Sequence, residues 1–207
     1  MKKQSSILVI TLIAFLSFDL VAQDIHFSQF ENTPLALNPA LTGMYNGNHR
    51  LLATYRDQWS NLLGGDAYRT ASISYDAKVR LSDKDYLGLG ISGIADKAGA
   101  LDYGTEQSKY LASYVRRIGK DSTRFSTISF GVDLAIVERR IDLTNARWPS
   151  QHDGNGGFDP TEPGGQVITT DFLHFDLASG MVWETVFGPN VAIRLGYAMA
   201  HINKPKV

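Results

Sequence analysis

Hydrophobic and polar residues alternate along most of the chain, and the pattern is clearest over residues 125–137. One face of that segment carries apolar residues only: Ile128, Phe130, Val132, Leu134 and Ile136. The other face carries small or polar residues: Thr127, Ser129, Gly131, Asp133 and Ala135. A period of two is typical of a β-strand with one apolar and one wet face. The same alternation predicts seven strands, over residues 50–58, 69–79, 86–95, 107–116, 125–137, 173–181 and 191–200.

Strand length and the small residues of the second face distinguish two β architectures. A tilted strand needs about 9 to 11 residues to cross a bilayer, whereas strands of soluble proteins peak near 5 or 6. A soluble sandwich or lipocalin-like barrel would turn the apolar face inward, leaving Gly88, Gly131 and Ala198 as its surface. Aromatic residues also stand near strand ends, as interfacial girdles require: Tyr55, Trp59, Tyr68, Tyr86, Tyr103, Phe172, Trp183 and Phe187. The sequence therefore predicts an all-β fold, an antiparallel transmembrane outer-membrane β-barrel over residues 49–207.

The connections between the predicted strands alternate in length. Those after the second, fourth and sixth strands are short, whereas those after the first, third and fifth grow from residues 60–67 up to residues 138–170. Outer-membrane barrels have short periplasmic turns and long extracellular loops, so the N-terminal segment is expected on the periplasmic side. Because bacterial single-chain barrels have even strand numbers, seven strands predict an incomplete barrel in a C-terminally truncated chain.

The beginning of the chain has the pattern of an export signal. Lys2 and Lys3 precede an apolar run at residues 7–18 and small residues at 21–22, which predicts a signal peptide over residues 1–23. The apolar run has 12 residues, too few for a membrane-spanning helix, which needs about 20.

The next segment, residues 24–48, is punctuated by proline, asparagine and glycine and is predicted to be an irregular periplasmic strap or plug. Phe27, Phe30 and Leu37 are expected to bury against the lumen of the barrel, and Asn38 to bond its own backbone in a turn. A cap that only holds the barrel shut and a segment that contacts a substrate are both compatible with this composition.

Charge and cysteine content exclude several classes of partner and chemistry. The net charge is -1 and the chain has no cysteine. Without an excess or a run of basic residues, nucleic acid is not an expected partner. Disulfides, cysteine-bound zinc and a thiol nucleophile are excluded.

Three patterns could carry a cofactor or a metal. Residues 88–93 fit the dinucleotide pattern G-x-G-x-x-G, but they lie in a predicted strand and open no helix, so no cofactor is expected. The longest loop holds oxygen ligands near calcium-loop spacing, Asp153, Asn155, Asp159 and Glu162; a calcium site and a solvated turn both fit them. The histidines have no metal-binding spacing: His26, His49, His152, His174 and His201.

Catalysis is not expected, and His174 is the least unfavourable candidate for it, through a serine on a neighbouring strand. Carboxylates on the polar faces, such as Asp133 and Asp176, are expected to form ion pairs with Arg56, Lys78 or Arg194. A narrow polar lumen requires such compensation of its charges.

Motifs in order along the chain carry a resemblance to one family. They are Gln23-Asp24-Ile25-His26-Phe27-Ser28-Gln29-Phe30, Pro34-Leu35-Ala36-Leu37-Asn38-Pro39-Ala40-Leu41-Thr42-Gly43, Tyr55-Arg56-Asp57-Gln58-Trp59 and His201-Ile202-Asn203-Lys204-Pro205. Together they closely resemble the PorP/SprF family of Bacteroidota, which comprises outer-membrane β-barrels of the type IX secretion and gliding-motility apparatus.

The resemblance implies a non-enzymatic role in the outer membrane, helping surface adhesins with type IX C-terminal signals to leave the cell or stay attached outside it. The implied partners are such an adhesin, other type IX apparatus proteins and outer-membrane lipid. Phe27, Phe30, Asn38 and Pro39 are the candidate partner-binding residues. A general porin or a hydrophobic-solute transporter is the competing function, since fold alone does not fix function.

Overall fold

The structure is a computed structural model. It describes residues 30–99, 101, 103–119, 124–143, 146–152, 154, 157–159, 161–162, 171–188 and 191–203. The predicted signal peptide and Phe27 lie outside the described residues.

Seven antiparallel strands form one sheet in which each strand pairs with the next along the chain, in the order β1 to β7. Their bounds are His49–Gln58, Tyr68–Arg80, Asp85–Ala98, Tyr103–Ile118, Arg124–Arg140, Asp171–Phe187 and Ala192–Met199. The all-β prediction and the number of strands are confirmed. Among the described residues β1 and β7 form the two edges of the sheet. They run in the same direction, because six antiparallel pairings separate them.

Several strands are longer than predicted, and this changes one connection. β3 continues to Ala98 and β4 begins at Tyr103, so residues 99–102 alone join them. The prediction of a long third connection is therefore wrong. The ends of these strands carry charged and polar residues such as Asp96 and Glu106, which extend the hydrogen-bonded ladder beyond the apolar stretch.

The two faces of the sheet differ as predicted. On β5 the side chains of Phe130, Val132 and Leu134 are exposed, whereas Ser129 and Asp133 are buried. The apolar face is thus the outer one. β4 departs from simple alternation because its inner face carries Leu111 and Val115, both buried.

A segment of short helical turns, residues 30–44, lies on the inner side of the sheet; we call it the strap. It comprises a 3-10 turn at Phe30–Asn32, helix α1 at Pro34–Leu37 and a second 3-10 turn at Pro39–Leu41. The segment was predicted to be irregular, and prolines at the first position of two of these turns explain why they can form. A second short helix, α2 at Ser60–Leu63, follows β1. None of the helices among the described residues has the length and hydrophobicity to cross a membrane.

The sheet curls around the strap into a half-barrel. Residues 38–43 contact side chains or backbone of all seven strands. A flat seven-stranded sheet would be about 29 Å wide, whereas six residues span at most about 22 Å even when fully extended. The strands must therefore wrap around the strap, and we call the concave side the lumen.

The predicted aromatic girdle is correct for some residues and wrong for others. Tyr55 and Trp183 are exposed on the outer face. Tyr86 instead points into the lumen and packs against the buried cluster beneath the strap. Tyr103 lines a lumen cavity. Proximity to a strand end does not reveal which face a residue occupies.

Candidate functional site

One row of very small residues crosses the sheet at right angles to the strands. Consecutive partners in this row are Gly88, Ser113, Gly131, Gly180 and Ala198. The strap lies directly on it. A Cβ atom on Gly131 would come within 2.4 Å of the Ala40 nitrogen, and one on Gly88 within 2.4 Å of the Thr42 carbonyl oxygen. The small residues of the lumen face are therefore the space in which the strap fits.

Two serine hydroxyls, one in that row and one beside it, hold the backbone of the strap. Ser129 donates a hydrogen bond to the Ala40 carbonyl at 2.6 Å, and Ser113 donates to the Thr42 carbonyl at 2.6 Å. Both serines are buried, as are Ala40 and Thr42. These bonds matter because a buried carbonyl without a partner costs free energy.

An ion pair between β1 and β2 fixes the end of the strap. Arg50 lies 2.8 Å from Asp76, whose side chain is 1% exposed. The Asp76 carboxylate also accepts a hydrogen bond from the Gly43 N–H at 2.7 Å. Arg50 in turn donates to the Leu41 carbonyl at 3.1 Å. The pair therefore satisfies one acceptor and one donor of the strap backbone.

Asn38 connects the strap to the last two strands. Its Oδ1 accepts a hydrogen bond from the Ala40 N–H at 2.8 Å, as an N-cap of the second 3-10 turn. Its Nδ2 donates to the carbonyls of Met181 and Tyr197. A Cβ atom on Gly180 would lie 2.0 Å from Asn38 Oδ1. The predicted bond of Asn38 to its own backbone segment is confirmed, and the contacts with β6 and β7 are additional.

Tyr45 and Lys78 close the turn between the strap and β1. The Tyr45 hydroxyl donates to the Asp76 carbonyl at 2.8 Å, and Lys78 donates to the Tyr45 carbonyl. The Arg50 guanidinium stacks on the Tyr45 ring, 4.5 Å from its centre. Burial, followed by the charge of Asp76, raises the pKa of Tyr45. The phenol therefore stays a hydrogen-bond donor at neutral pH.

The apolar contacts of the strap come from residues other than the predicted ones. Leu41 and Met44 pack with Val115 and Val182 in one buried cluster. Phe30 is 56% exposed and Leu37 52% exposed. The expectation that these two side chains bury against the lumen is therefore wrong. They are exposed although they border an open lumen cavity beside the strap.

We expect replacement of Gly131 by valine to loosen the strap. The new side chain would overlap strap backbone, which cannot move aside as a flexible side chain would, and overpacking of this kind costs about 1–3 kcal/mol. Limited proteolysis of the folded protein should then cut within residues 30–44.

The matched control is Gly93→Val on β3. A Cβ at Gly93 would meet only Ile73 Cγ2 at 3.8 Å, an ordinary contact, so the strap should stay protected in this variant. Equal protease resistance of both variants would show that the glycine row does not determine how the strap docks.

The motif around His201 forms a one-residue bulge against β6. Regular pairing ends with Ser179 opposite Met199. Ile202 then donates to the Leu177 carbonyl at 2.9 Å, which is one residue out of register. His201 has a φ of 55°, and its Nδ1 reaches the Asp176 carboxylate at 2.8 Å. An extra residue in one strand redirects side chains, and here it turns His201 into the lumen.

Asn203 continues the pairing beyond the bulge. Its side chain accepts from the Leu177 N–H at 3.1 Å and donates to the Phe175 carbonyl at 2.7 Å. The Asn203 amide group thereby takes the place of a backbone peptide group in the pairing with β6. The asparagine of the motif thus extends the pairing, and the histidine contacts Asp176. Lys204 and Pro205 lie outside the described residues.

The motif at the end of β1 belongs to a second lumen network. Arg56 donates to the Thr70 hydroxyl at 3.0 Å, and Thr70 donates to Asp96 at 2.5 Å. Trp59 follows in the left-handed region with a φ of 66°, immediately before α2. The motif thus links three strands and then reverses the chain.

The lumen carboxylates are paired, but not with the predicted residues. Asp133 lies 3.8 Å from Lys109, and Asp176 pairs with His201. Arg194 pairs instead with Glu184. The prediction that Asp133 and Asp176 pair with Arg56, Lys78 or Arg194 is therefore wrong; the side chains in contact with them are Lys109 and His201. The side chains meet across strand register, which the sequence alone does not specify.

The predicted chemical motifs have structural explanations where they are described. Gly88 and Gly90 lie within β3 and receive the strap. Asp159 accepts two hydrogen bonds from Thr161, which lower its pKa, while Asp153 and Asn155 lie outside the described residues. In the part of the chain that the structure describes, no three His, Asp or Glu side chains are placed to hold a metal ion.

The strap-holding residues Arg50, Asp76, Ser113 and Ser129 were not singled out by sequence reasoning. The available signal was the concentration of glycine and serine on the face opposite the apolar one, which indicated a close approach by another part of the chain.

Comparison with known proteins gives one match. No curated protein matches the chain. No solved structure matches it either. The family model of the type IX secretion system membrane protein PorP/SprF matches residues 20–207. The match includes the strap, all seven strands and the His201 motif. The chain therefore belongs to the PorP/SprF family of type IX secretion system membrane proteins.

Proposed function

We propose that this protein is an outer-membrane barrel component of the type IX secretion and gliding-motility apparatus, supporting secretion or surface anchoring of adhesins. Family membership supports a role in type IX secretion. The exposed apolar outer face, with residues such as Phe130, Val132 and Leu134, supports contact with outer-membrane lipid. The adhesin would carry a type IX C-terminal signal, and other apparatus proteins would assist its capture.

The observation that carries this proposal is the dual character of the strap. Residues 38–43 are fixed to all seven strands, whereas Phe30 and Leu37 of the same segment remain more than half exposed. Exposed aromatic and aliphatic side chains on a rigid support are typical of protein-binding surfaces. In our proposal Phe27 and Phe30 contact the partner, while Asn38 and Pro39 preserve the shape of the strap.

A general porin or solute transporter is less well supported. Residues 38–43 lie across the lumen face of all seven strands, where a conducting lumen would need open space. No catalytic role enters the proposal. Fixed support for another protein requires neither conduction nor catalysis.

Replacing Phe27 and Phe30 together with alanine is expected to reduce the adhesin at the cell surface severalfold. Two large apolar anchors would be removed, while the contacts of residues 38–43 with the sheet would remain. Surface adhesin can be measured with antibodies on intact cells, and the barrel can be measured in purified outer membranes.

A matched control is Leu63→Ala, which shortens an exposed apolar side chain in α2 away from the strap. Normal adhesin display in the phenylalanine variant would contradict the proposed contact. Loss of the barrel itself would support the structural-cap role instead. Co-purification of the adhesin with the wild-type barrel from native membranes provides the direct test of the partner.

A further inference from the structure

A cavity of about 590 Å³ occupies the lumen beside the first turns of the strap. The strap contributes Phe30, Thr33 and Leu37 to its lining. The strands and the segment after β7 add the polar side chains Asp96, Thr105, Gln107, Lys109, Arg139, His174 and His201. Its volume lies within the range of about 300–1,000 Å³ that is usual for ligand sites. The cavity is separate from the row of small residues that holds the strap.

The carboxylates around this cavity already have partners. Asp133 lies 3.8 Å from Lys109, and the Asp176 carboxylate lies 2.8 Å from His201. Asp96 accepts a hydrogen bond from Thr70. Each of these carboxylates thus contacts another side chain, and Arg139 is the cation of the cavity that has no carboxylate partner among the described residues.

Arg139 makes no ion pair with any described carboxylate, and its Nε atom is buried without a hydrogen-bond partner. The Nδ1 atom of His174 is buried and unbonded as well. His174 stands opposite Val137 on the neighbouring strand, two residues from Arg139 on the same face. Two buried nitrogen atoms without hydrogen-bond partners therefore lie on neighbouring strands, on the same face of the sheet. A buried donor without a partner is costly, and an anion that binds both side chains would remove this cost.

The other residues that line the cavity indicate which kind of molecule the anionic group belongs to. Phe30, Leu37 and Tyr103 present apolar surface, while Thr105 and Gln107 present hydroxyl and amide groups. An acyl chain would need continuous apolar walls, whereas a peptide combines apolar side chains with backbone groups that hydrogen-bond to threonine and glutamine. A carboxylate suits the planar guanidinium of arginine, which can bind both of its oxygens.

We propose that this cavity binds a carboxylate of a polypeptide that has an apolar residue beside it, with Arg139 and His174 holding the carboxylate. The inference deepens the proposed function, on which it rests, by giving the captured protein a specific point of entry into the lumen. It predicts that a short peptide with a free carboxylate binds in the cavity even when the rest of the exported protein is absent.

The probe is N-acetylated leucyl-phenylalanine, compared with its C-terminal amide and with octanoate. Isothermal titration calorimetry would use the full chain in phosphatidylcholine nanodiscs. The free acid should bind about tenfold or more tightly than the amide, because a charge-assisted contact is lost in the amide. Octanoate, which offers the same carboxylate on an acyl chain, should bind more weakly than the peptide acid.

Arg139→Gln should remove the preference for the acid. Arg140→Gln is the matched control, because Arg140 is the exposed neighbour that already pairs with Glu138 and Asp171, and it should keep the preference. Ala200→Phe, which fills the cavity from another wall without changing a charge, should weaken binding of both peptides. This second variant tests the site even where Arg139→Gln does not fold.

Equal affinity for acid and amide, or an unchanged preference in Arg139→Gln, would overturn the inference. Undiminished peptide binding by Ala200→Phe would do so too. Tighter binding of octanoate would identify a fatty-acid site instead. The titration contains no cells and no adhesin, so its failure is distinguishable from normal display in the phenylalanine variant, which concerns the proposed function.

Discussion

Replacing Asp76 with alanine is expected to lower the free energy of unfolding by about 3–5 kcal/mol, because removal of one partner strands a buried charge. Asp76 compensates Arg50 and accepts the Gly43 N–H, so the variant leaves a cation and a backbone donor without their partner. The change is measured by urea titration of the barrel folded into phospholipid bilayers.

Asp83→Ala is a stringent control for the effect of burial. Asp83 forms an ion pair with Arg80 at 2.7 Å, nearly the distance between Arg50 and Asp76, but its side chain is 95% exposed. Surface pairs of this kind contribute little, so the control should unfold like the wild type. If the two variants lost equal stability, then burial would not explain the importance of the Asp76 pair.

The Asp76 variant should also release the strap. Arg50 would lose the carboxylate that orients it, and with it the geometry for donating to the Leu41 carbonyl. Protease cleavage within residues 30–44 should therefore increase, whereas it should not in Asp83→Ala. A destabilised barrel with a fully protected strap would mean that Asp76 acts only between β1 and β2.

The strands were predictable because their signal is local. Alternation along β5 depends only on which side chains face lipid and which face the lumen. Successive side chains point to opposite faces, so the polarity of each residue indicates its face. The strand ends were harder to predict. Residues such as Asp96 and Glu106 lie beyond the apolar stretch, yet the backbone ladder continues through them, since hydrogen bonding between strands does not require apolar side chains.

The contacts inside the lumen were not predictable because they depend on register. Gly88, Gly131 and Gly180 are widely separated in sequence, and only the pairing of four successive strands brings them into one row. The partners of Asp133 and Asp176 follow from the same register. A composition rich in glycine and serine could indicate close approach by another segment, but not which segment.

The strap illustrates a different limit. Hydrophobicity placed Phe30 and Leu37 against the lumen, whereas burial belongs to Leu35, Leu41 and Met44. All five residues are apolar, so their hydrophobicity does not predict which of them are buried. The helical turns of the strap decide which side faces the sheet, and they depend on Pro34 and Pro39 and on the Asn38 cap.

Val132→Arg is expected to destabilise the membrane-inserted protein by about 2–4 kcal/mol, the cost of a basic side chain on the lipid face at the bilayer midplane. Val132 is the central residue of β5 and its side chain is exposed on the outer face. Reversible unfolding from phospholipid vesicles measures the difference from the wild type.

Depth in the membrane supplies the control for this last prediction. Val79 also faces outward but stands one residue before the end of β2, where the cost of arginine falls to about 0–1 kcal/mol. Val79→Arg should therefore insert almost normally. If both variants had the same small cost, the outer face of β5 would contact water or protein rather than lipid, because only a hydrocarbon environment makes the cost of a charge depend on its depth.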